Sequence, residues 1–259
     1  MSTNFDTPKI KVFGLGDFGT HVVKAVQSKM PANMQTFSLP SKETLEKEAV
    51  LDKMSDGNLL LFVEDREEDA DGSWASLLAT YAKEAGLLTV GWVKCGSLDT
   101  MEDANASFKD LLQCTDSIIL VSKENHAAEA MIAEGIQYIG GITDDSKGIA
   151  LMLADMEEVF SNGGLAHISY GEANGEHDIV EATKRAANTM FLGKTLSHAK
   201  KVLLMQMIGD GRKSNRESRR SHGRNRLQLG KYRHNRPLNG WVRSPKCRGC
   251  SYHHHRYTV

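Results

Sequence analysis

Three short stretches, LLLFV at 59–63, LLTVGWV at 87–93 and SIILVS at 117–122, are apolar at nearly every position rather than at every second one. A strand of that kind has to be covered on both faces, which is the condition of a parallel sheet with helices on either side. Segments of helical length lie between the runs, Trp74 to Ala85 and Met101 to Cys114. Ahead of them KIKVF, Lys9 to Phe13, predicts a strand that runs into Gly14. Phe18 to Met30 then places Val22, Val23 and Val26 on one helical face, and MQTFSL supplies a second strand. Strand and helix alternate as in a doubly wound α/β domain with a mostly parallel sheet.

The alternation continues in a different manner after residue 125. HAAEAMIAEGIQYIGG (126–141) predicts a helix with Met131, Ile132, Ile136 and Ile139 inward, ended by paired glycines, as a connector between two domains. A helix (Ile149 to Phe160), a strand (Leu165 to Tyr170), a helix (His177 to Met190) and a strand (Val202 to Met207) follow. Nothing after Gly211 extends the pattern, so an incomplete α+β second domain is expected. The predicted division is 1–125 nucleotide-binding domain, 126–148 connecting helix and loop, 149–211 partial second domain, and 212–259 tail.

The net charge of −1 conceals a sharp asymmetry. Residues 212–259 hold 14 Lys and Arg against one acid, Glu217, which leaves 18 basic and 32 acidic residues for 1–211. The tail has scattered apolar residues and many Arg, His and Asn, so no packed element is expected there. No apolar run approaches the roughly 18 to 20 residues of a membrane span, and MSTNFDTPKI has neither a basic nor an apolar leader region. A cytoplasmic protein without membrane attachment is expected. Cys95 and Cys114 stand alone, and only Cys247 and Cys250 are close in sequence, which is no disulfide framework.

The turn after the first strand carries GxGxxG at Gly14, Gly16 and Gly19. Gly14 permits a tight turn, Gly16 lets the backbone approach a phosphate, and Gly19 allows close helix-to-strand packing, while the free N–H groups at the helix start favour an anion. Two other readings fit the same residues: a glycine turn without ligand, and a Rossmann-type NAD-dependent oxidoreductase. The latter calls for Asp or Glu at the end of the second strand, which here ends at Leu39 with Pro40 next.

Longer signatures narrow the choice. IKVFGLGDFGTHVV resembles the first glycine loop of the FtsZ/tubulin family, AKEAGLLTVGWV its AKExGILTVGVV strand, and GLAHISYGEANGE its GxAxMGxGEAxGE segment, in the same order. With LADMEEVFSNGG and LSHAKKVLL the resemblance covers residues 8 to 211. It implies the family's nucleotide-binding fold, GTP with Mg²⁺ as cofactors, and self-association or co-assembly with intact FtsZ-like subunits in cell division or a cytoskeleton. Nucleotide contacts are implied at Gly14, Gly16, Asp17, Phe18, Gly19 and His21, and in the second loop at Gly72 and Ser73. In the family an NxDxxD loop of one subunit completes the site of the next; the matching positions are Ala150, Met152 and Asp155, so Asp155 is the remnant catalytic carboxylate.

Other family features are replaced. Where the family has the glycine-rich GGGTGTG stretch, this chain has EDREEDADGS, Glu64 to Ser73, with six acids against Arg66. Like unit charges about 5 to 8 Å apart in water cost roughly 0.5 to 0.8 kcal/mol per pair, so several pairs offset a few kcal/mol of phosphate binding. The Asn and Asp that would read the guanine edge are Glu129 and Ala130. A degenerate GTPase is expected, with weak or no GTP binding and little hydrolysis. Glu67, Asp69, Asp71 and Gly72 also share the ExDxDG spacing of a calcium loop, although the twelfth position is Leu78.

Three readings apply to the tail. Its positive charge suits nucleic acid or another acidic partner, and Cys247, Cys250 and His253 to His255 contain half of a metal site. The third is frame-shifted translation. Residues 252–257, YHHHRY, require codons that, read one base later, give only Ile or Thr followed by Val, Ala, Asp or Gly, which is a β-branched strand like the family's VTIIAT.

Overall fold

The computed structural model describes residues 7–41, 46–69, 73–124, 127–143, 152–173, 178–188, 192, 199–208 and 226–233. Each apolar run becomes a strand: β1 (Ile10–Leu15), β2 (Met34–Leu39), β3 (Leu59–Asp65), β4 (Leu88–Cys95) and β5 (Ser117–Ser122), joined by a short β6 (Gly164–His167). They form one sheet in the order β2-β1-β3-β4-β5-β6, and every neighbouring pair is parallel. The helices are α1 (Gly16–Gln27), α2 (Lys47–Met54), α3 (Ser73–Glu84), α4 (Met101–Ser107), α5 (Lys109–Cys114), α6 (Ala128–Thr143), α7 (Leu153–Phe160) and α8 (Asp178–Ala187).

The unbroken apolar runs are explained by the two faces of this sheet. Val12, Leu61, Val63, Val90, Trp92 and Ile119 project to one side, where Val22 and Val23 of α1, Ile132 and Ile136 of α6, and Met156 and Phe160 of α7 cover them. Phe13, Leu60, Phe62, Val93, Ile118 and Leu120 project to the other, against Val50, Leu78, Phe108 and Leu111 of α2, α3 and the α4–α5 region. Successive side chains alternate between the two faces, so both parities of each strand must be apolar. Burying each such Leu, Ile or Phe contributes about 1.5–3 kcal/mol before the cost of ordering the chain.

Three features depart from the pattern read in the sequence. Met101 to Cys114 is two helices, because Phe108 leaves helical geometry at φ −112° and ψ 16° and buries its ring under the Arg66 guanidinium, 5.2 Å from the ring centroid. The strand expected within a second domain, β6, pairs with β5 as the outermost strand of the main sheet. Residues 226–233, in the stretch where no packed element was expected, form β8 (Arg226–Arg233), antiparallel to β7 (Lys201–Ile208). The alternation in RLQLGKYR is the local signal for that strand, and the high density of charge around it conceals the signal. Cys247, Cys250 and His253 to His255 lie outside the described residues. Among the described residues no helix is long and apolar enough to cross a membrane.

Candidate functional site

The chain leaves β1 toward β2 on one side, while β3 pairs on the other, so the connections diverge at the carboxyl ends of β1 and β3. In an open α/β sheet this switch point is where a crevice forms. Two turns flank it, β1 to α1 and β3 to α3.

The first turn depends on missing side chains. A Cβ on Gly14 would strike the Gly19 carbonyl, and one on Gly19 would strike the carbonyl of Val63 on β3, so α1 starts hard against the sheet. Gly16 sits at φ +66°, where a side chain is strained. No side chain of α1's own N-cap residue, Leu15, caps the helix. Asp17 is exposed and Phe18 half-buried, with Lys94 Nζ 4.2 Å from the Phe18 ring centroid. His21 is exposed and pairs with Glu129 of α6, Nε2 to Oε1 at 3.1 Å. The position implied to read guanine is therefore occupied with another task.

The second turn is built from carboxylates, and Asp65, Glu67, Glu68 and Asp69 each have a partner. Asp65 pairs with Lys94, its register neighbour on β4, and also accepts the Glu67 N–H at 3.0 Å. Glu67 pairs with Lys123, just beyond β5. Asp69 is 6% exposed, and its Oδ2 accepts the N–H groups of Trp74 and Ala75, both at 3.1 Å, which caps α3. Glu68 reaches across the crevice. Both of its carboxylate oxygens lie 3.2 Å from the Phe18 nitrogen, which donates to them at the start of α1. Its Oε2 also fills the space that a Cβ on Gly16 would need.

Glu64 differs from the rest of the turn. It is 1% exposed, and among the described residues its carboxyl oxygens find no well-formed hydrogen bond, with the Asp69 carboxylate as a close neighbour. Burial first, and the nearby Asp69 carboxylate second, push its pKa up to about 8, so it holds its proton at neutral pH. At the end of β4, burial pushes the Cys95 thiol up to about 11, which leaves it without thiolate character.

The structure thus gathers Gly14, Gly16, Asp17, Phe18 and Gly19 at one turn and opens α3 with Ser73. Gly72 and Asp71 lie outside the described residues. Of the calcium-loop candidates, Glu67 and Asp69 are held by Lys123 and the α3 backbone rather than converging on a common point. Among the described residues no group of three or more His, Cys, Asp or Glu is placed to hold a metal. Asp155 accepts the Met152 N–H at 3.2 Å at the start of α7. The last turn of that helix meets the amino-terminal end of β5, where Ser117 Oγ donates to the Phe160 carbonyl at 2.7 Å. Asp155 itself serves as a cap on α7. Lys94, Lys123 and the reach of Glu68 were not singled out in the sequence. The Asp65 to Lys94 register was the one available signal, because it follows once LLLFVED and LTVGWVKC are paired in parallel.

Nor does β2 offer a carboxylate for a dinucleotide ribose, since it ends at buried Leu39. The sequence is 25% identical to cell division protein FtsZ 1 of Archaeoglobus fulgidus over 178 residues, 61% of this chain and 48% of that protein. This chain is similar to that protein over the matched stretch. It spans about half the length of that curated relative, and no protein-family model matches it. Solved structures of FtsZ from M. jannaschii share the fold. A tryptophan-to-tyrosine mutant superposes with a TM-score of 0.59 at 19% identity, covering 70% of this chain and 71% of that one. The empty dimer superposes with a TM-score of 0.57 at 19% identity, over 70% and 68%.

Proposed function

We propose that this chain is an FtsZ-like protein of cell division or the cytoskeleton whose nucleotide pocket is degenerate, binding GTP weakly or not at all and hydrolysing little. One observation carries the reading. The two helix N-termini that flank the switch point, those of α1 and α3, are both capped by carboxylates of one turn, Glu68 and Asp69. A triphosphate needs just such N–H groups, and here they are already satisfied by negative charge.

The structure also refines the electrostatic argument. With Glu64 protonated, and with Lys94 and Lys123 paired to Asp65 and Glu67, the turn is far less negative than its composition suggests. Occupancy of the amides, more than bare repulsion, then opposes phosphate. GTP and Mg²⁺ are the ligands that the family resemblance implies, and these residues do not fit a triphosphate as they stand.

Partners of the same kind, a second copy or an intact FtsZ-like subunit, follow from the relatedness. By the family resemblance Asp155 would serve the site of a neighbouring subunit. GTP turnover and sedimentation with the purified chain, alone and mixed with an active FtsZ, test the proposal. Turnover at background level together with co-sedimentation is expected; robust hydrolysis by the chain alone would overturn it.

A further inference from the structure

We infer that Glu68 is an autoinhibitory latch, an internal carboxylate seated where a phosphate would meet the β1–α1 turn, and that its side chain alone keeps this turn closed to anions. The inference rests on the degenerate-pocket reading and deepens it, because it names the one group responsible.

Backbone hydrogen bonds hold the turn in place. The Glu68 and Asp69 N–H groups both donate to the Asp65 carbonyl, at 3.0 and 3.2 Å. The α3 backbone holds the buried Asp69 carboxylate next to Glu68. The main chain at residue 68 is therefore fixed independently of where the Glu68 side chain goes. That side chain is exposed, so among the described residues rotating it into water breaks its contacts with α1 and no others that hold the turn. Buried Asp69, in contrast, is part of the scaffold.

The seat itself is shaped for an oxygen anion. Gly16 at φ +66° has no Cβ, and Glu68 Oε2 occupies that vacant volume while the Phe18 N–H donates to both oxygens. Lys94 lies 4.2 Å from the Phe18 ring centroid, close to the same spot. A covalently tethered carboxylate competes at an effective concentration of order millimolar. An external anion then binds with an apparent affinity reduced by the fraction of time that the seat is free. Opening requires no refolding, only removal of one charge or its capture by a cation elsewhere.

The experiment compares the full chain with Glu68→Ala, Glu68→Gln and, as a control in the same turn, Glu67→Ala. Inorganic pyrophosphate and GTP are titrated calorimetrically, and the Phe18 amide is followed by NMR. For Glu68→Ala the Phe18 resonance should move and pyrophosphate should bind at least about tenfold more tightly than to the parent, equivalent to about 1.4 kcal/mol. Glu68→Gln should show a smaller gain, and Glu67→Ala neither effect. An unmoved Phe18 resonance in folded Glu68→Ala would show that the contact does not exist in solution. A moved resonance with unchanged anion affinity would show that the contact is not what closes the turn. An equal gain in Glu67→Ala would assign the effect to charge in general, and each of these three results overturns the latch. Tight GTP binding by the parent chain would instead overturn the degenerate-pocket reading, whatever the variants do.

Discussion

The turn after β1 and the turn after β3 solve opposite problems at one edge of the sheet. The first works by absence: Gly14 and Gly19 bring backbone against backbone, and the amides at the start of α1 are left without a side-chain cap of their own. The second works by surplus, with Asp65, Glu67, Glu68 and Asp69 each engaged by a lysine or by backbone N–H groups. The difference teaches that an acidic turn is not necessarily a repulsive one. Its charges can be bound internally, and one of them can satisfy the neighbouring glycine turn.

Substitution in the second turn gives the largest expected effect. Glu64 keeps its proton up to about pH 8 in the folded chain, against 4.5 for the free group. Folding therefore takes up a proton between those values, and stability falls as pH rises through that window. Glu64→Gln mimics the protonated form. It should leave stability unchanged near pH 4 and raise it by up to roughly 5 kcal/mol above pH 8, since each pKa unit is about 1.4 kcal/mol. Urea unfolding at pH 5, 7 and 9 checks this, and parallel pH profiles for the two proteins would contradict it.

In the first turn, Gly14→Ala should cost about 3 kcal/mol, because the new methyl group meets the Gly19 backbone rather than a movable side chain. A loss under about 0.5 kcal/mol in the same unfolding assay would mean that the turn can widen. The comparison would then lose its first half.

Asp69→Ala should cost about 1 kcal/mol, as expected for a lost helix cap. It should also move the Glu64 titration to lower pH, because the Asp69 charge is the second cause of that elevation. Carboxyl chemical shifts followed against pH read this directly, and an unshifted Glu64 would show that burial acts alone.

The smallest effect belongs to Lys123→Ala. Its partner Glu67 and Lys123 itself are both exposed, so the thermal midpoint should not move at physiological salt. A clear drop would show that the pair holds the turn more firmly than its exposure suggests.

Much of the fold was legible because it depends on local chemistry. LLLFV and SIILVS could only be strands covered on both faces, and GLGDFG could only be a tight strand-to-helix turn. The break at Phe108 was not, since it accompanies a contact between its ring and the Arg66 guanidinium that no helical period records. The site was half legible. Glycines announce themselves by what they lack, whereas the sequence shows six acids in Glu64 to Ser73 without showing which of them meets a lysine, a helix end or the core. Glu68 is the clearest case: it contacts the Phe18 amide 50 positions away, and nothing in EDREED marks it over its neighbours.

The pairing of β8 with β7 bears on how this protein can be shortened. Were the chain cut after residue 211, every backbone amide and carbonyl of Lys201–Ile208 that now bonds to Arg226–Arg233 would be left open along one side. A bare strand margin of that kind recruits any other strand it encounters. Trimming the positively charged end would then produce a stickier protein rather than a cleaner one.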